Sequence, residues 1–356
     1  MRTGSAGRLI TAIATTVMLA ASLSMAGQTA QASDPTGSDV GLFGSQDPTY
    51  DGVYRQSAAI MGLVAVNATV PRVSVAWLLR QQCADGSYAA YRPDPTLPCP
   101  APDPANYTGP DTNSTAMAAM ALRAVAARQP RDTPGIVKAA KRAEAWLARQ
   151  QVPDGGWEWI EGLTADATST GMSLASAGRA ATPSHRRGAA WLRGLMGPEA
   201  ACGLPFQSGG PVDPLSTSWG LIGAQGSLPF ARHRGPRTIT PCAATSPHLL
   251  ATGSWLASAI TAGNGQIPSA YSPDQTDWNS TALATLGLSQ RHGSTAALRL
   301  GLAALQGNVA AYTRPGGTDV PGALGTLLMV AGATGADPRD FGGVDLIQRL
   351  MASLRR

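Results

Sequence analysis

Two kinds of hydrophobic pattern alternate along the chain. In the segment IVKAAKRAEAWLARQQ, apolar residues recur three or four positions apart from Ile136 to Leu147, and most basic residues lie off that stripe. This spacing is typical of an amphipathic helix that buries one face. Other segments, such as the Ala-rich run that follows Asp111, are apolar on every side. We expect helices of this second kind to be buried all round.

The alternation predicts six helices of each kind. The chain begins with an inner-type helix and ends with an outer-type one, so a closed ring would leave no apolar end exposed. An open solenoid needs polar capping repeats, and the segment 55–67 is too apolar for that role. We therefore predict an all-α fold, an (α/α)6 toroid closed by its N- and C-terminal helices. The outer helices fall near 71–82, 135–150, 184–195, 246–259, 294–305 and 343–354, and the inner helices near 55–67, 113–127, 168–179, 216–226, 279–290 and 321–333.

Two short motifs punctuate these helices. An outer helix ends in Leu-x3-Gln-x3-Gly-x-aromatic, and an inner helix begins with Asp-x-x-Ser-Thr. An aspartate before a helix accepts hydrogen bonds from free N–H groups of the first turn, and glycine permits the turn that ends the preceding helix. The turn motif comprises Leu78, Gln82, Gly86 and Tyr88, then Leu147, Gln151, Gly155 and Trp157; the cap motif starts at Asp111, Asp166, Asp213, Asp277 and, in degenerate form, Asp319.

The N-termini of the inner helices should meet at one opening of the ring. Each capping aspartate is mainly structural in this interpretation, but together with Ser, Thr and Asn they would form a polar rim over an apolar central cavity. Trp157 is expected to stack on the end of its own repeat, whereas Trp159 fits either packing or the cavity mouth. The candidate ligand-binding residues of the rim are Asp111, Asp166, Asp213, Asp277, Asp319, Trp159, Trp219 and Trp278.

The turn motif resembles the QW repeat of squalene and terpenoid cyclases, and its alternation with Asp-x-x-Ser-Thr resembles the β-subunits of protein prenyltransferases. The resemblance covers about 50–354 and implies the α/α toroid of that superfamily. The acidic Asp-x-Asp-Asp cluster of the cyclases is absent. The zinc-ligand positions of the prenyltransferases fall on Asp277, Asn279 and Gly322, so two of three ligands are missing.

The same toroid carries other functions, and each of them needs characteristic residues. The Cys-Gly-Glu-Gln motif of complement-type thioester domains is absent. A carbohydrate-active enzyme would need paired carboxylates, for which Glu158, Glu161 and Asp166 are the nearest candidates. The vitamin B12 transport proteins of animals resemble this design, but their second, β-rich domain has no counterpart here, so a corrinoid would need a partner as its lid.

We therefore expect a protein that binds a hydrophobic or amphipathic ligand, isoprenoid or corrinoid-like, in a central cavity. No catalytic residue, metal or cofactor is assigned, and we expect a partner at the cell surface or in a transporter. The first alternative is a prenyltransferase- or terpene-cyclase-like enzyme with a diverged active site. The second alternative is a carbohydrate-active α/α-barrel enzyme, because unrelated activities share one fold.

The N-terminus predicts export. Arg2 and Arg8 precede an apolar run from Leu9 to Leu23, and Ala-Gln-Ala follows at 30–32. This is the pattern of a cleaved signal peptide. We therefore expect a secreted protein with a signal peptide at 1–32, a flexible segment at 33–49 and a toroid domain at 50–356. No later stretch reaches the roughly 20 apolar residues that a membrane-spanning helix needs.

Cysteines and charge narrow the chemistry further. Four cysteines in an exported chain predict two disulfides, which we assign as Cys83–Cys99 and Cys202–Cys242. No CxxC or HxxxH spacing indicates a metal site. The formal net charge is +5, but no basic run is longer than a few residues, and the sequence predicts no nucleic-acid partner.

Overall fold

A computed structural model describes residues 39–128, 133–178, 182–196, 202–226, 231–243, 248–269, 272 and 274–356. The predicted signal peptide at 1–32 and residues 33–38 of the predicted flexible segment lie outside the described residues. The domain boundaries of the sequence analysis therefore stay predictions. No helix within the described residues is long and apolar enough to cross a membrane.

The described residues form thirteen α-helices and no β-strand. At the four complete copies of the cap motif, the helix starts directly after the predicted aspartate. The predicted helices agree with the observed ones to within three residues, except that the outer helix predicted near 246–259 is observed at Thr252–Ala262, and residues 246 and 247 of that prediction lie outside the described residues. A short helix, α11, and two 3-10 turns at Leu249–Ala251 and Pro315–Gly317 add to the repeat pattern. In chain order the helices are α1 (Gly52–Ala65), α2 (Arg72–Arg80), α3 (Thr112–Arg128), α4 (Thr133–Arg149), α5 (Ala167–Ala177), α6 (Pro183–Leu195), α7 (Pro214–Gln225), α8 (Thr252–Ala262), α9 (Trp278–Leu288), α10 (Thr295–Gly307), α11 (Val309–Thr313), α12 (Pro321–Thr334) and α13 (Leu346–Ala352).

The inner helices form a closed ring. Each of α1, α3, α5, α7, α9 and α12 packs against the next, and α12 packs against α1. The outer helices α2, α4, α6, α8, α10 and α13 each pack on the inner helix that precedes them in the chain. This is the predicted (α/α)6 toroid with six inner and six outer helices.

The two ends of the described chain meet where the ring closes. The backbone N–H of Gly41 donates to the carbonyl of Arg355 at 3.0 Å, and the N–H of Arg355 donates to Leu42 at 2.9 Å. Phe43, which is fully buried, forms an antiparallel bridge with Leu354. Residues 39–49 of the predicted flexible segment therefore include part of this closing contact.

Both predicted disulfides are present. Cys83 is joined to Cys99, and Cys202 is joined to Cys242. The first bond ties the end of α2 to the Pro-rich loop before α3. Arg92, a buried residue, holds the same loop by donating to the carbonyl oxygens of Pro95 and Leu97 at 2.9 and 2.5 Å.

Candidate functional site

The two sequence motifs form one structural unit at the start of each inner helix. In the second full repeat, Asp166 accepts hydrogen bonds from the backbone N–H and the hydroxyl of Ser169, at 2.7 and 2.8 Å. The backbone N–H of Asp166 donates to the carbonyl of Trp157, and the N–H of Trp157 donates to the hydroxyl of Thr170, both at 3.0 Å. We call this arrangement, in which Asp, Ser and Thr hold the preceding turn on the helix start, the turn–helix clamp.

The clamp recurs in all four complete copies of the cap motif. In each copy the Asp side chain caps the helix and the Thr hydroxyl accepts the N–H of the turn residue, at 2.9 to 3.0 Å. Leu204 and Ile267 therefore occupy the aromatic position of the turn motif in repeats where the sequence shows no aromatic residue. The four clamps are Asp111–Ser114–Thr115 with Tyr88, Asp166–Ser169–Thr170 with Trp157, Asp213–Ser216–Thr217 with Leu204, and Asp277–Ser280–Thr281 with Ile267.

The glutamine of the turn motif links neighbouring outer helices, and the tryptophan bonds to the outer helix of its own repeat. The side-chain amide of Gln151 donates to the carbonyls of Gly155 and Ser184, at 2.8 and 2.9 Å, and so joins α4 to α6. The indole N–H of Trp157 donates to the carbonyl of Leu147 at 2.7 Å. Trp157 thus packs at the end of its own repeat, as the sequence predicts.

Burial of the capping aspartates changes their protonation. Burial raises the pKa of Asp111 to about 6 and that of Asp166 to about 7, despite the hydrogen bonds from serine that lower it. Burial also raises the pKa of Asp213. Asp166 and Asp213 act on each other electrostatically, as do Asp213 and Asp277, so these caps lie at the same end of the ring.

The expectation of an aspartate rim facing a ligand needs correction at three positions. The side chains of Asp111 and Asp166 are 3% and 1% exposed, so they lie beneath the turns. Asp213 and Asp277 are partly exposed. Asp319 is not a cap, because α12 begins at Pro321 with Val320 as its N-cap, and Asp319 instead forms ion pairs with Arg349 and Arg314.

The centre of the ring is filled with side chains. Positions two, six and nine after the N-cap, and their equivalents in α1 and α12, lie on one helix face. We call these positions the first, second and third levels of the ring, counted from the capped end. Their apolar side chains at the second and third levels belong to a single contact cluster that joins all six inner helices, so this face points to the ring axis. The second level consists of Ala58, Met117, Met172, Trp219, Leu283 and Thr326, and the third of Met61, Met120, Ala175, Ile222, Leu286 and Met329.

The expected open central cavity is therefore wrong. Second-level residues are at most 5% exposed and third-level residues at most 2%. A water-filled cavity beside these side chains would give them a larger solvent-exposed fraction. Trp219, which the sequence places on the rim, is 2% exposed and forms part of the buried floor. A ligand on the ring axis can reach only the first level, above Trp219 and Met172.

The first-level residues lie at the capped end of the ring, in a region that we call the mouth. The mouth comprises Tyr54, Asn113, Leu215 and Asn279, which are half-buried or exposed, and the backbone of Gly322. Thr168, the sixth first-level residue, is 3% exposed and hydrogen-bonds with the hydroxyl of Ser216 at 2.9 Å. The half-buried residues Tyr54 and Leu215 pack on the central cluster. Burial raises the pKa of Tyr54 to about 12, so its hydroxyl stays protonated and can donate a hydrogen bond.

Tyr312 completes the mouth, and the sequence analysis did not identify it. The short helix α11 carries Tyr312, whose hydroxyl donates to Oδ1 of Asn279 at 3.0 Å and also hydrogen-bonds with Thr326. Burial raises its pKa well above the ordinary value, and Tyr54 adds to that effect. Because α11 has no counterpart in the other repeats, no repeated pattern could have identified this residue.

The two remaining rim tryptophans have different surroundings. Trp278 is half-buried, begins α9 and packs on the central cluster. The ring of Trp159 stacks on that of Tyr107, with centroids 5.7 Å apart and planes 16° from parallel, and its indole hydrogen-bonds to Asp111. Trp159 therefore belongs to a packed contact between two loops.

The three residues at the zinc-ligand positions of the prenyltransferases do not form a metal site here. Asp277 caps α9 through Ser280, Asn279 accepts from Tyr312, and Gly322 has no side chain. Within the described ranges, no group of three His, Cys, Asp or Glu residues comes together in a way that could hold a metal ion. The arrangement at the mouth thus consists of hydroxyl and amide groups among aromatic rings.

The carboxylates considered for carbohydrate chemistry are also separated by their roles. Glu158 accepts from the backbone N–H of Gly162 at 2.8 Å and supports a loop turn. Glu161 is exposed, and Asp166 is a buried cap. The contacts of these three residues show no facing pair of carboxylates.

Comparison with known proteins gives structural similarity only. No protein-family model matches the chain, and no curated protein matches it. A variant of the type II terpene cyclase MstE from Scytonema is 19% identical, covers 84% of this chain and 78% of its own, and has a TM-score of 0.48. A wild-type glycosidase is 14% identical over 89% of this chain and 95% of its own, with a TM-score of 0.47.

A further similar structure is a protein from Actinoplanes, 18% identical over 79% of this chain and 99% of its own, with a TM-score of 0.35. All of these identities are below 20%, and proteins of different activity share one architecture. The function must therefore be argued from the side chains of this chain.

Proposed function

We propose that this protein is an exported binding protein that holds an amphipathic ligand at the mouth of the toroid and does not transform it. The observation that carries the proposal is the mouth itself, where the tyrosines Tyr54 and Tyr312 and the amide of Asn279 lie above a filled centre. Binding sites of this kind combine apolar contact area with a few polar groups that fix orientation.

The shape of the mouth limits the ligand. Because the second level is closed by Trp219 and its neighbours, a long chain cannot thread into the ring. A flat ring system with hydroxyl, carbonyl or amide groups on one edge fits better, since tyrosine hydroxyls and Asn279 can exchange hydrogen bonds with that edge. An isoprenoid-derived ring system and a corrinoid both meet this description, and a corrinoid would need a surface or transporter partner as its lid.

Catalysis has little support among the residues near the mouth. General acid catalysis needs a carboxyl group within hydrogen-bonding reach of the reacting atom. The carboxylate of Asp277 holds the backbone N–H and hydroxyl of Ser280 at 2.9 and 2.6 Å, and Asp213 holds Ser216 in the same way. These contacts support a structural role for both groups.

Native mass spectrometry of the protein secreted by its own host tests the proposal. We expect a stoichiometric bound mass in the wild-type protein. Tyr312→Phe combined with Asn279→Ala should weaken the affinity for the retained compound about tenfold, and lower the occupancy accordingly, because this pair removes two polar contacts worth about 0.7 kcal/mol each. Tyr50→Phe is the matched control, since Tyr50 is 73% exposed elsewhere on the surface. Absence of any bound mass, or equal occupancy in all three proteins, would contradict ligand binding at the mouth.

Asp277→Asn separates binding from the enzyme alternative. Asn caps a helix about as well as Asp, so the bound mass should remain. An enzyme that used Asp277 as its acid would lose turnover while it stayed folded. Conversion of the retained compound by the wild-type protein, and not by Asp277→Asn, would replace our proposal with the terpene-cyclase-like alternative.

A further inference from the structure

A cluster of seven basic residues lies at the C-terminal end of the inner helix α9, on the side of the ring opposite the caps. The segment 231–238 crosses this end: the side chain of Arg237 donates to the carbonyl of Ser289 at 2.8 Å, and Gln290 donates to Ala231 at 2.9 Å. We call this surface the cationic face. It consists of Arg232, His233, Arg234, Arg237, His248, Arg291 and His292.

The structure brings together residues that are far apart in the sequence. The N–H of Thr238 donates to the carbonyl of Arg291 at 3.0 Å, which joins the segment to the loop after α9. The guanidinium of Arg232 lies against Gly335, at the end of α12. The C-terminal end of a helix is the negative end of its dipole, and cations are stabilised there. The fold therefore has a physical reason to collect arginine side chains at this end.

The charge of this face is not balanced by its neighbours. After burial, the causes that lower the pKa of His292 are Arg291, His248 and His233, which are all basic. The pKa of Arg237 is lowered by burial and then by Arg232. Among the described residues, none of the ion pairs within 4.0 Å involves an arginine of the cationic face. A partner with negative charge would supply the missing compensation.

The exposed side chains indicate which kind of partner. Arg232, Arg234, His248 and Arg291 are exposed, and the large hydrophobic side chains exposed in the described chain lie elsewhere. A membrane-binding surface usually inserts aromatic or aliphatic side chains beside its basic ones. The guanidinium group matches phosphate oxygens with two parallel hydrogen bonds.

We propose that the cationic face binds a soluble, linear polyanion that carries phosphate groups. The segment that carries four of the seven residues is held by the Cys202–Cys242 disulfide and by its bonds to Ser289 and Arg291. A surface held in place before binding loses less entropy when the partner binds. The site is separate from the mouth, so it would give the protein a second attachment point.

Binding of fluorescently labelled inorganic polyphosphate to the full mature chain tests this proposal. We expect Arg234→Glu combined with Arg291→Glu to weaken binding about tenfold or more at low salt, and added salt to weaken binding to the wild-type protein. Both side chains are exposed, so the unfolding temperature should not change. Lys138→Glu combined with Lys141→Glu is the matched control, because it makes the same change of net charge on the distant helix α4.

Each outcome decides the proposal. Loss of binding in the Arg234/Arg291 variant alone supports it. An equal loss of affinity in both double variants would show that only the net charge of the protein matters. No loss in either variant would show that the cationic face does not bind polyphosphate. Both results overturn the proposal. Tighter binding to vesicles of anionic lipid than to polyphosphate would overturn the choice of a soluble polymer. Tyr312→Phe should leave polyphosphate binding unchanged, which keeps this result independent of ligand binding at the mouth.

Discussion

The four clamped repeats and the joint hold the same turn with different side chains. The joint is the place where residues 39–46 and 353–355 meet and close the ring. In the clamped repeats, a threonine hydroxyl such as that of Thr170 accepts the N–H of the turn residue. At the joint, the turn is Gly41-Leu42-Phe43, and the N–H of Phe43 donates to Oε1 of Gln56 at 2.9 Å. Gln56 lies at the position in α1 that Thr170 occupies in α5, so the joint is a fifth copy of the turn arrangement, built from the two ends of the described chain.

The replacement has a physical reason. In a clamped repeat the turn follows the outer helix directly, and Gln151 pairs with Trp157 in an antiparallel bridge. At the joint, Leu354 takes the bridging position opposite Phe43, and the chain is not continuous between them. Gln56 adds hydrogen bonds to the carbonyls of Gly41 and Ser74, at 2.8 and 2.9 Å, which a threonine is too short to make. The joint thus uses more contacts per side chain than a clamp.

Gln56→Ala should give the largest loss of stability. It leaves the N–H of Phe43 and two carbonyls without partners in a fully buried place, and we expect a loss of about 4 kcal/mol. The matched change in a clamp, Thr170→Val, keeps the volume and leaves the N–H of Trp157 without its acceptor, for about 1.5 kcal/mol. Urea unfolding followed by circular dichroism gives both values. Equal losses would show that the joint is no more dependent on its side chain than a clamp is.

Arg355→Ala should have the next largest effect. Arg355 forms an ion pair with Asp39 and donates to the carbonyls of Gly44 and Gln46 at 2.6 and 2.8 Å. The side chains of the pair are 18% and 12% exposed, and removal of one partner should cost about 3 kcal/mol.

Arg356→Ala is the control for this change, since the neighbouring Arg356 is exposed. We expect its unfolding midpoint in urea to match that of the wild-type protein. If Arg355→Ala also matched it, the side-chain contacts of Arg355 with Asp39, Gly44 and Gln46 would contribute nothing to ring closure.

The clamps differ from the joint in their response to pH. Burial raises the pKa of Asp166 to about 7, whereas an aspartate in the unfolded chain has a value of about 3.9. The folded state therefore keeps a proton that the unfolded state loses. The stability that this proton contributes is complete below about pH 4 and is lost as the pH rises through about 7.

Asp166→Asn cannot ionise, so it isolates this effect. Between about pH 5 and pH 8, we expect the unfolding free energy of the wild-type protein to fall by about 2 kcal/mol relative to that of Asp166→Asn. Asp111 is present in both proteins and cancels from the difference. Urea midpoints at the two pH values give the measurement, and a constant difference would show that Asp166 is ionised throughout the range.

The fold and the aspartate caps of the clamps could be predicted from the sequence, but the threonine contacts of the clamps could not. Helix periodicity and the alternation of two motifs were enough for the closed toroid, and the caps at Asp111, Asp166, Asp213 and Asp277 are confirmed. The hydrogen bond from the turn residue to the threonine hydroxyl was not predicted, because its N–H donor lies in the preceding turn and not in the helix. The prediction that Asp319 caps a helix was wrong, because the helix begins at Pro321 and its N-cap is therefore Val320, one residue after Asp319.

The candidate site was harder to predict than the fold. Small apolar residues in the inner helices indicated burial, but not which of them would point to the axis and fill it, as Trp219 and Met172 do. Tyr312 belongs to a helix outside the repeat. The cationic face combines basic residues of the segment 232–237 with His248, Arg291 and His292, and only the folded structure shows that they are neighbours.

Asp319→Asn should give the smallest effect, and its salt dependence would distinguish a partly exposed ion pair from a clamp. Asp319 pairs with Arg349, and the two side chains are 25% and 21% exposed, so we expect a loss of about 0.5 kcal/mol at low salt. The loss should approach zero at high salt because ions screen the pair. Asp277→Asn is the clamp counterpart: Asn still caps α9, and its small effect should not depend on salt. If the loss in Asp319→Asn were also independent of salt, Asp319 would stabilise the fold by hydrogen bonding and not by charge.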